Sequence, residues 1–124
     1  MAAPNMVQMT SIIGRSSFVS LTTTDRTTFI NNPASSGKVY KVNMVQVSNV
    51  DGTVAADITI DVHDATFGGG TAYSLAKTVS VPADASLVVI DKNTAIYLEE
   101  NTSMTAIAGS ASDLMIVASY EEIS

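Results

Sequence analysis

A chain of 124 residues with a net charge of −6 and only 15% charged residues lacks the basic footprint of a nucleic-acid binder or of a protein held on an anionic membrane surface. The length suits one domain, and 46% hydrophobic residues are ample for a core. With no cysteine there is neither a disulfide framework nor a thiolate metal site. Val, Ile, Ala, Thr and Ser dominate while Trp is absent, a composition that favours strands. The first fifteen residues, MAAPNMVQMTSIIGR, have neither the basic start nor the apolar stretch of a signal peptide. No apolar run approaches the roughly 20 residues of a membrane-spanning helix. Folding in the cytoplasm is the expectation.

Apolar residues nowhere keep helical spacing for long, so the elements are expected to be strands. Residues 1–15 read as an extended N-terminal arm, because Pro4, Asn5, Ser11 and Gly14 interrupt it while Met6, Val7, Met9, Ile12 and Ile13 are apolar. A free terminus is normally more polar. Those five residues are therefore candidate contacts, either with the chain's own core or with a neighbouring subunit. Residues 16–124 form the expected β-sandwich domain. Residues 18–21 and 27–30 read as strands around a turn at 23–25, and residues 31–37 as a loop. In residues 39–50, Tyr40, Val42 and Met44 keep one phase and Val45 and Val47 the other. Such a phase shift predicts a β-bulge near Met44 and Val45.

Asp51-Gly52 reads as a type I′ turn closing a hairpin over residues 39–64. Beyond it Ile58, Ile60 and Val62 alternate with Asp57, Thr59, Asp61 and His63, a strand with one buried and one wet face. Residues 67–70 read as a flexible hairpin connection, followed by a strand carrying Tyr73, Leu75, Val79 and Val81. Residues 87–90 are nearly all apolar, as in a strand covered on both faces. Shorter strands follow through Ile96 and Leu98, then Met104 to Ala108, and finally Leu114, Ile116, Ala118 and Tyr120. Eight or nine short strands predict a single antiparallel, jelly-roll-like β-sandwich. The expected inward set is Val42, Met44, Ile58, Ile60, Val62, Leu75, Val79, Val88, Ile90, Ile96, Leu98, Leu114 and Ile116.

His63, the sole histidine, lies between Asp61 and Asp64, with Asp57 on the same predicted face. Two carboxylates and an imidazole are metal-ligand types. However, residues two apart on a strand stand about 7 Å from one another, too far for Asp57 and His63 to share an ion unaided. A solvated polar face is the simpler reading. No G-x-S-x-G, H-E-x-x-H, P-loop or dinucleotide motif is present. The three consecutive glycines at 68–70 lack the helix and Lys of a phosphate cradle. Glu99-Glu100 and Glu121-Glu122 are sequence neighbours that point to opposite faces of a strand, and read as solubilising charge rather than a carboxylate pair in a cleft. The aromatics fall about one per strand, as packing residues do. No catalytic, cofactor-binding or metal-binding residue is expected, and a non-enzymatic structural or interaction role is the default.

Several segments carry a family resemblance. They are SGKVYKVN at 36–43, SNVDGT at 48–53, ADITIDV at 56–62, AKTVSVPADASLVVIDKN at 76–93, IYLEE at 96–100 and SYEEI at 119–123. With these, the chain from residue 36 onward resembles small structural proteins of tailed-bacteriophage virions, of the cyanophage type. Residues 82–93 are the most specific part. The resemblance implies a capsid decoration, or cement, protein that binds the outer head surface and stabilises it. It implies the major capsid protein of the same phage as partner, a homo-oligomer (a trimer), and a virion location after assembly in the host cytoplasm. No cofactor, nucleic-acid or membrane partner is expected. A tail, baseplate or fibre-associated virion protein is the alternative; a carbohydrate-binding module is more remote.

Overall fold

The computed structural model describes residue 5 and residues 7–124. Nine strands follow one another: β1 (Ile12–Leu21), β2 (Thr27–Asn32), β3 (Val39–Asn49), β4 (Ala56–His63), β5 (Ala72–Val81), β6 (Ser86–Ile90), β7 (Ile96–Leu98), β8 (Thr102–Ala108) and β9 (Leu114–Ile123). They build two antiparallel sheets. The first runs β1-β9-β3-β6, with β7 also paired to β3, and the second runs β2-β8-β4-β5. Pairing proceeds from the chain ends inward: β1 with β9, β2 with β8, β3 with β6 and β7, β4 with β5. This is a long hairpin rolled into two facing sheets, the jelly-roll sandwich expected from the strand count. β6 and β7 share one place in the roll. A short 3₁₀ turn, Lys92–Thr94, separates them, capped by the Asp91 carboxylate accepting from the N–H groups of Asn93 and Thr94.

The expected hairpin over residues 39–64 is corrected. β3 and β4 lie in different sheets, and Gly52 is not among the residues with positive φ. Instead Asp51 Oδ1 accepts the Thr53 N–H at 2.8 Å, an Asx turn that carries the chain across the sandwich. Asp-Gly serves this turn as readily as a hairpin turn, and alternation does not say which sheet a strand joins. The segments at 18–21 and 27–30 likewise belong to opposite sheets. The first is longer than expected: residues 12–15, assigned above to an arm, pair in register with β9 as part of β1.

The bulge in β3 is present. Its register with β9 slips between Val42 and Met44, and its register with β6 slips between Val45 and Gln46. The slip lets Val42, Val45 and Val47 all reach the core at 0% exposure, and leaves Met44 half-buried on the outer side. Between the sheets these valines meet Ile58, Ile60, Met104, Ala106, Leu114 and Ile116. Of the expected inward set, Val42, Ile58, Ile60, Ile90, Leu98, Leu114 and Ile116 are buried, and Val62 and Ile96 pack against them. Leu75 and Val79 are exposed instead on the edge strand β5, and Val88 is exposed because it faces outward beside Gln46 while Leu87 and Val89 pack on the core. β6 is therefore not covered on both faces. β5 is also bulged around Thr78, which has φ 47° and donates its N–H to Thr59 Oγ1 at 3.0 Å.

Candidate functional site

Three places combine polar or apolar groups in a way that core packing alone does not require. The first is the outer face of the second sheet. Asp57, Thr59, Asp61 and His63 share the face opposite Ile58 and Ile60, as alternation predicts. Yet Asp61 and His63 are only 3% and 2% exposed, so the solvated polar face is corrected. The cause is the connection between β4 and β5, residues 64–71, which folds back over the sheet. It is pinned there by the Phe67 N–H to Asn31 Oδ1 at 2.8 Å, the Gly68 N–H to Ser103 Oγ at 2.9 Å and Ser103 Oγ to the Ala65 carbonyl at 2.8 Å. Left-handed backbone at Gly68 and Gly70 makes the fold-back feasible.

Beneath this strap, Arg26 Nη1 donates to Asp61 Oδ2 at 2.8 Å and to Thr105 Oγ1 at 2.7 Å. Ser74 Oγ donates to Asp61 Oδ1 at 2.6 Å. His63 Nδ1 lies 3.1 Å from the Gly69 carbonyl, which only accepts, so Nδ1 carries the proton. His63 Nε2 then accepts, facing Thr105 Oγ1 at 2.8 Å and Arg26 Nη1 at 2.9 Å. Burial pushes the Asp61 carboxyl up, but the Ser74 hydrogen bond and the Arg26 guanidinium outweigh it and hold the group below the usual carboxylate range. Both His63 nitrogens and both Asp61 oxygens are thus engaged by protein groups. The network ties β4, β5 and β8 to the β1–β2 connection. Asp57 stays exposed at the far end of β4, and Asp64 is turned to the loop, accepting the Thr71 N–H at 2.7 Å. Among the described residues no three His, Asp or Glu groups are placed to hold a metal ion.

The second place is Glu122, which the sequence reading treats as solubilising charge. It is 8% exposed and paired with Arg15 at 2.9 Å and Lys38 at 2.7 Å. The Lys38 hydrogen bond, opposed by burial and aided by Arg15, holds its carboxyl below the usual range. This joins β1, β9 and the start of β3. Nearby the Tyr40 and Tyr120 rings lie with centroids 5.2 Å apart.

The third place is the outer face of the first sheet. Cross-strand register puts Phe18 beside Val117, Val117 beside Gln46, and Gln46 beside Val88. The rungs on either side are Ser16, Ser119 and Met44, and Ser20, Met115, Ser48 and Ser86. These three rungs contain no charged side chain. Phe18 is 76% exposed, Val88 54%, Met115 44% and Val117 40%. At the bulge, Asn43, Met44, Val88, Ser119, Asp91 and Lys92 line an open concavity of about 440 Å³.

The arm candidates are not gathered into one place. Met6 lies outside the described residues. Val7 is 91% exposed within a turn in which its N–H reaches Asn5 Oδ1 at 2.9 Å. Met9 is half-buried. Ile12 and Ile13 lie in β1 opposite Ile123 and Glu122, at 55% and 43% exposure. Sequence reasoning passed over Arg26, Ser74, Ser103 and Thr105, which come from three separate segments, the β1–β2 connection, β5 and β8, and carry no local signal.

No family model matches this chain, and no curated protein matches it. Among solved structures it is similar to a chain of the T13 particle of infectious bursal disease virus, with a TM-score of 0.40 and 6% identity over 89% of its length. It is also similar to a chain from the structure of the Gx strain of that virus, with a TM-score of 0.28 and 9% identity over 90% of its length. The match spans 31% of the first of those chains and 40% of the second.

Proposed function

We propose that the chain is a non-enzymatic structural protein of a tailed-phage virion, a decoration protein that binds the outer surface of the head through the major capsid protein and stabilises it. The observation that carries this reading is the uncharged outer face of the first sheet. In a protein of net charge −6, three adjacent rungs hold only Ser, Gln, Met, Val and Phe, with Phe18, Val88, Met115 and Val117 exposed. An uncharged face on a rigid frame, with large apolar side chains exposed among Ser and Gln, suits a docking surface. The resemblance of residues 36–123 to virion proteins supplies the class of partner. Val7 and Met9, exposed or half-buried ahead of β1, are further contacts; the thioether of Met9 adapts to an irregular surface.

The test is gold-antibody labelling of purified phage particles with antibody raised against the whole chain. Label spread over the head supports decoration. Label confined to the tail moves the protein to a tail, baseplate or fibre position, and particles without label overturn the virion reading. A Val88→Glu/Met115→Glu double variant, which adds charge to the proposed face without touching the core, is expected to lose head attachment while remaining folded. Undiminished attachment would remove this face from the account.

A further inference from the structure

A two-sheet sandwich has four open edges, and three of them here are blunted in ways that discourage pairing with another chain. β2 is six residues long, is bulged between Thr28 and Ile30, and runs into Pro33. β5 carries Lys77 and a bulge with Thr78 at φ 47°. The β6–β7 edge is broken by the Lys92–Thr94 turn. β1 has neither a bulge nor a break, and its one charged residue, Arg15, is paired with Glu122 of β9. Its ten residues, IIGRSSFVSL, keep unbroken register with β9 and include no proline.

The hydrogen-bonding phase of this edge is fixed by its first pair. Ser11 and Ser124 exchange both backbone bonds, at 3.0 and 2.9 Å. In an antiparallel pair bonded and non-bonded positions alternate, so the odd-numbered residues of β1 bond to β9. Ile12, Gly14, Ser16, Phe18 and Ser20 therefore turn their N–H and C=O groups away from the sheet. All five are exposed, and among the described residues no other strand pairs with them.

We propose that this edge pairs antiparallel with the same edge of a second copy of the chain, about a twofold axis through Ser16. Centring on Ser16 sets all five outward residues opposite outward residues: Ile12 beside the other copy's Ser20, Gly14 beside Phe18, Ser16 beside itself. Displacing the centre leaves at least one of them unmatched. Side chains agree with this register. A Cβ built at Gly14 meets nothing within 4 Å, and Phe18, 76% exposed, lies across that opening from the other copy. An aromatic opposite an edge glycine is a favourable cross-strand pair. On the other face Ile13 falls beside Val19 and Arg15 beside Ser17, so no like charges oppose one another. The interface is isologous and closes at two copies, unlike the threefold assembly that the family resemblance implies. It joins two first sheets into one continuous sheet, independently of whether the protein sits on a phage head.

The test is sedimentation equilibrium of the full chain over a concentration series, alongside Ser16→Lys and Ser16→Asp. Each variant alone sets like charges against each other at the axis, and loss of the dimer is expected. Mixed in equal amounts they are expected to recover it as a heterodimer, because Lys then faces Asp. The thermal midpoint of the monomer should not move, since Ser16 is exposed on the outer face. A wild-type chain that stays monomeric, a trimer, or a mixture that fails to form the heterodimer overturns the proposal.

Discussion

Arg26 and Asp61, 35 residues apart in sequence, meet at 2.8 Å beneath the β4–β5 connection. Asp61 is nearly fully buried, and without the guanidinium it would keep only the Ser74 hydroxyl on its other oxygen. A hydrogen bond to a charged group contributes about 1.5–3 kcal/mol, and a buried carboxylate stripped of its partner loses more than the bond itself. The Arg26 side chain is 36% exposed, so the lower part of that range applies. Arg26→Met should lower unfolding stability by about 2 kcal/mol, read as a fall in denaturant midpoint at constant slope. The Arg26→Met/Asp61→Asn double variant should cost clearly less than the sum of the singles. Strict additivity would mean the pair contributes nothing of its own.

Acid should weaken the fold through two carboxylates. Glu122 is held below its ordinary value chiefly by the Lys38 hydrogen bond, with burial opposing and Arg15 assisting. At Asp61 burial opposes, and Ser74 and Arg26 prevail. In both cases the folded value lies below the unfolded one. The stability they contribute is therefore fully present above the unfolded carboxylate range, about 4, and is lost as pH falls through the folded values. Through these two carboxylates the melting temperature should drop as pH falls below about 4. Glu122→Gln should melt lower than wild type at neutral pH and show a shallower acid drop. An equally steep drop in that variant would assign the acid sensitivity elsewhere.

How far the sequence could be read is clearest in two strands with the same pattern. Ile58 and Ile60 alternate with polar residues and are fully buried. Val79 and Leu75 also alternate, and are exposed because β5 is an edge. Period two reports that a strand has two unlike faces, but not whether a second layer covers either one. The bulge in β3 was legible because it changes the phase of apolar residues within one strand. The crossing at Asp51-Gly52 was not, since the two sheets differ only in partners far along the chain. Likewise Asp61 and His63 could be placed on one face. Their burial depends on a glycine-rich segment that reads as flexible until Asn31 and Ser103 are seen to hold it.

That distinction between edge and centre has a direct test. Ile60→Asp places a carboxylate where the side chain is 0% exposed, with no charged partner in the apolar cluster around it. Loss of the cooperative fold is expected. Val88→Asp, on β6 at 54% exposure, should change stability by no more than about 0.5 kcal/mol. Far-ultraviolet circular dichroism during a thermal scan separates the two. A cooperative melt from Ile60→Asp would place β4 with the wrong face inward.

The strap over Asp61 and His63 should fail at its glycines. Gly68 has φ 72° and stands so close to the Thr105 methyl that a Cβ would come within 3.1 Å of it. Gly70 has φ 63°, and a Cβ there would displace the Asp64 carboxylate from the Thr71 N–H that it accepts. A left-handed residue with a side chain costs about 1–2 kcal/mol, so Gly68→Ala and Gly70→Ala should each destabilise by roughly that amount. Because β4 is also held by β8 and the core, the loss should open the strap before it opens the sandwich. Amide exchange should therefore speed up at Gly68, whose N–H is bonded to Ser103 Oγ, before it speeds up at Ile60. Equal acceleration at both would mean that residues 64–71 unfold only with the whole domain. In that case the strap would be an integral part of the second sheet.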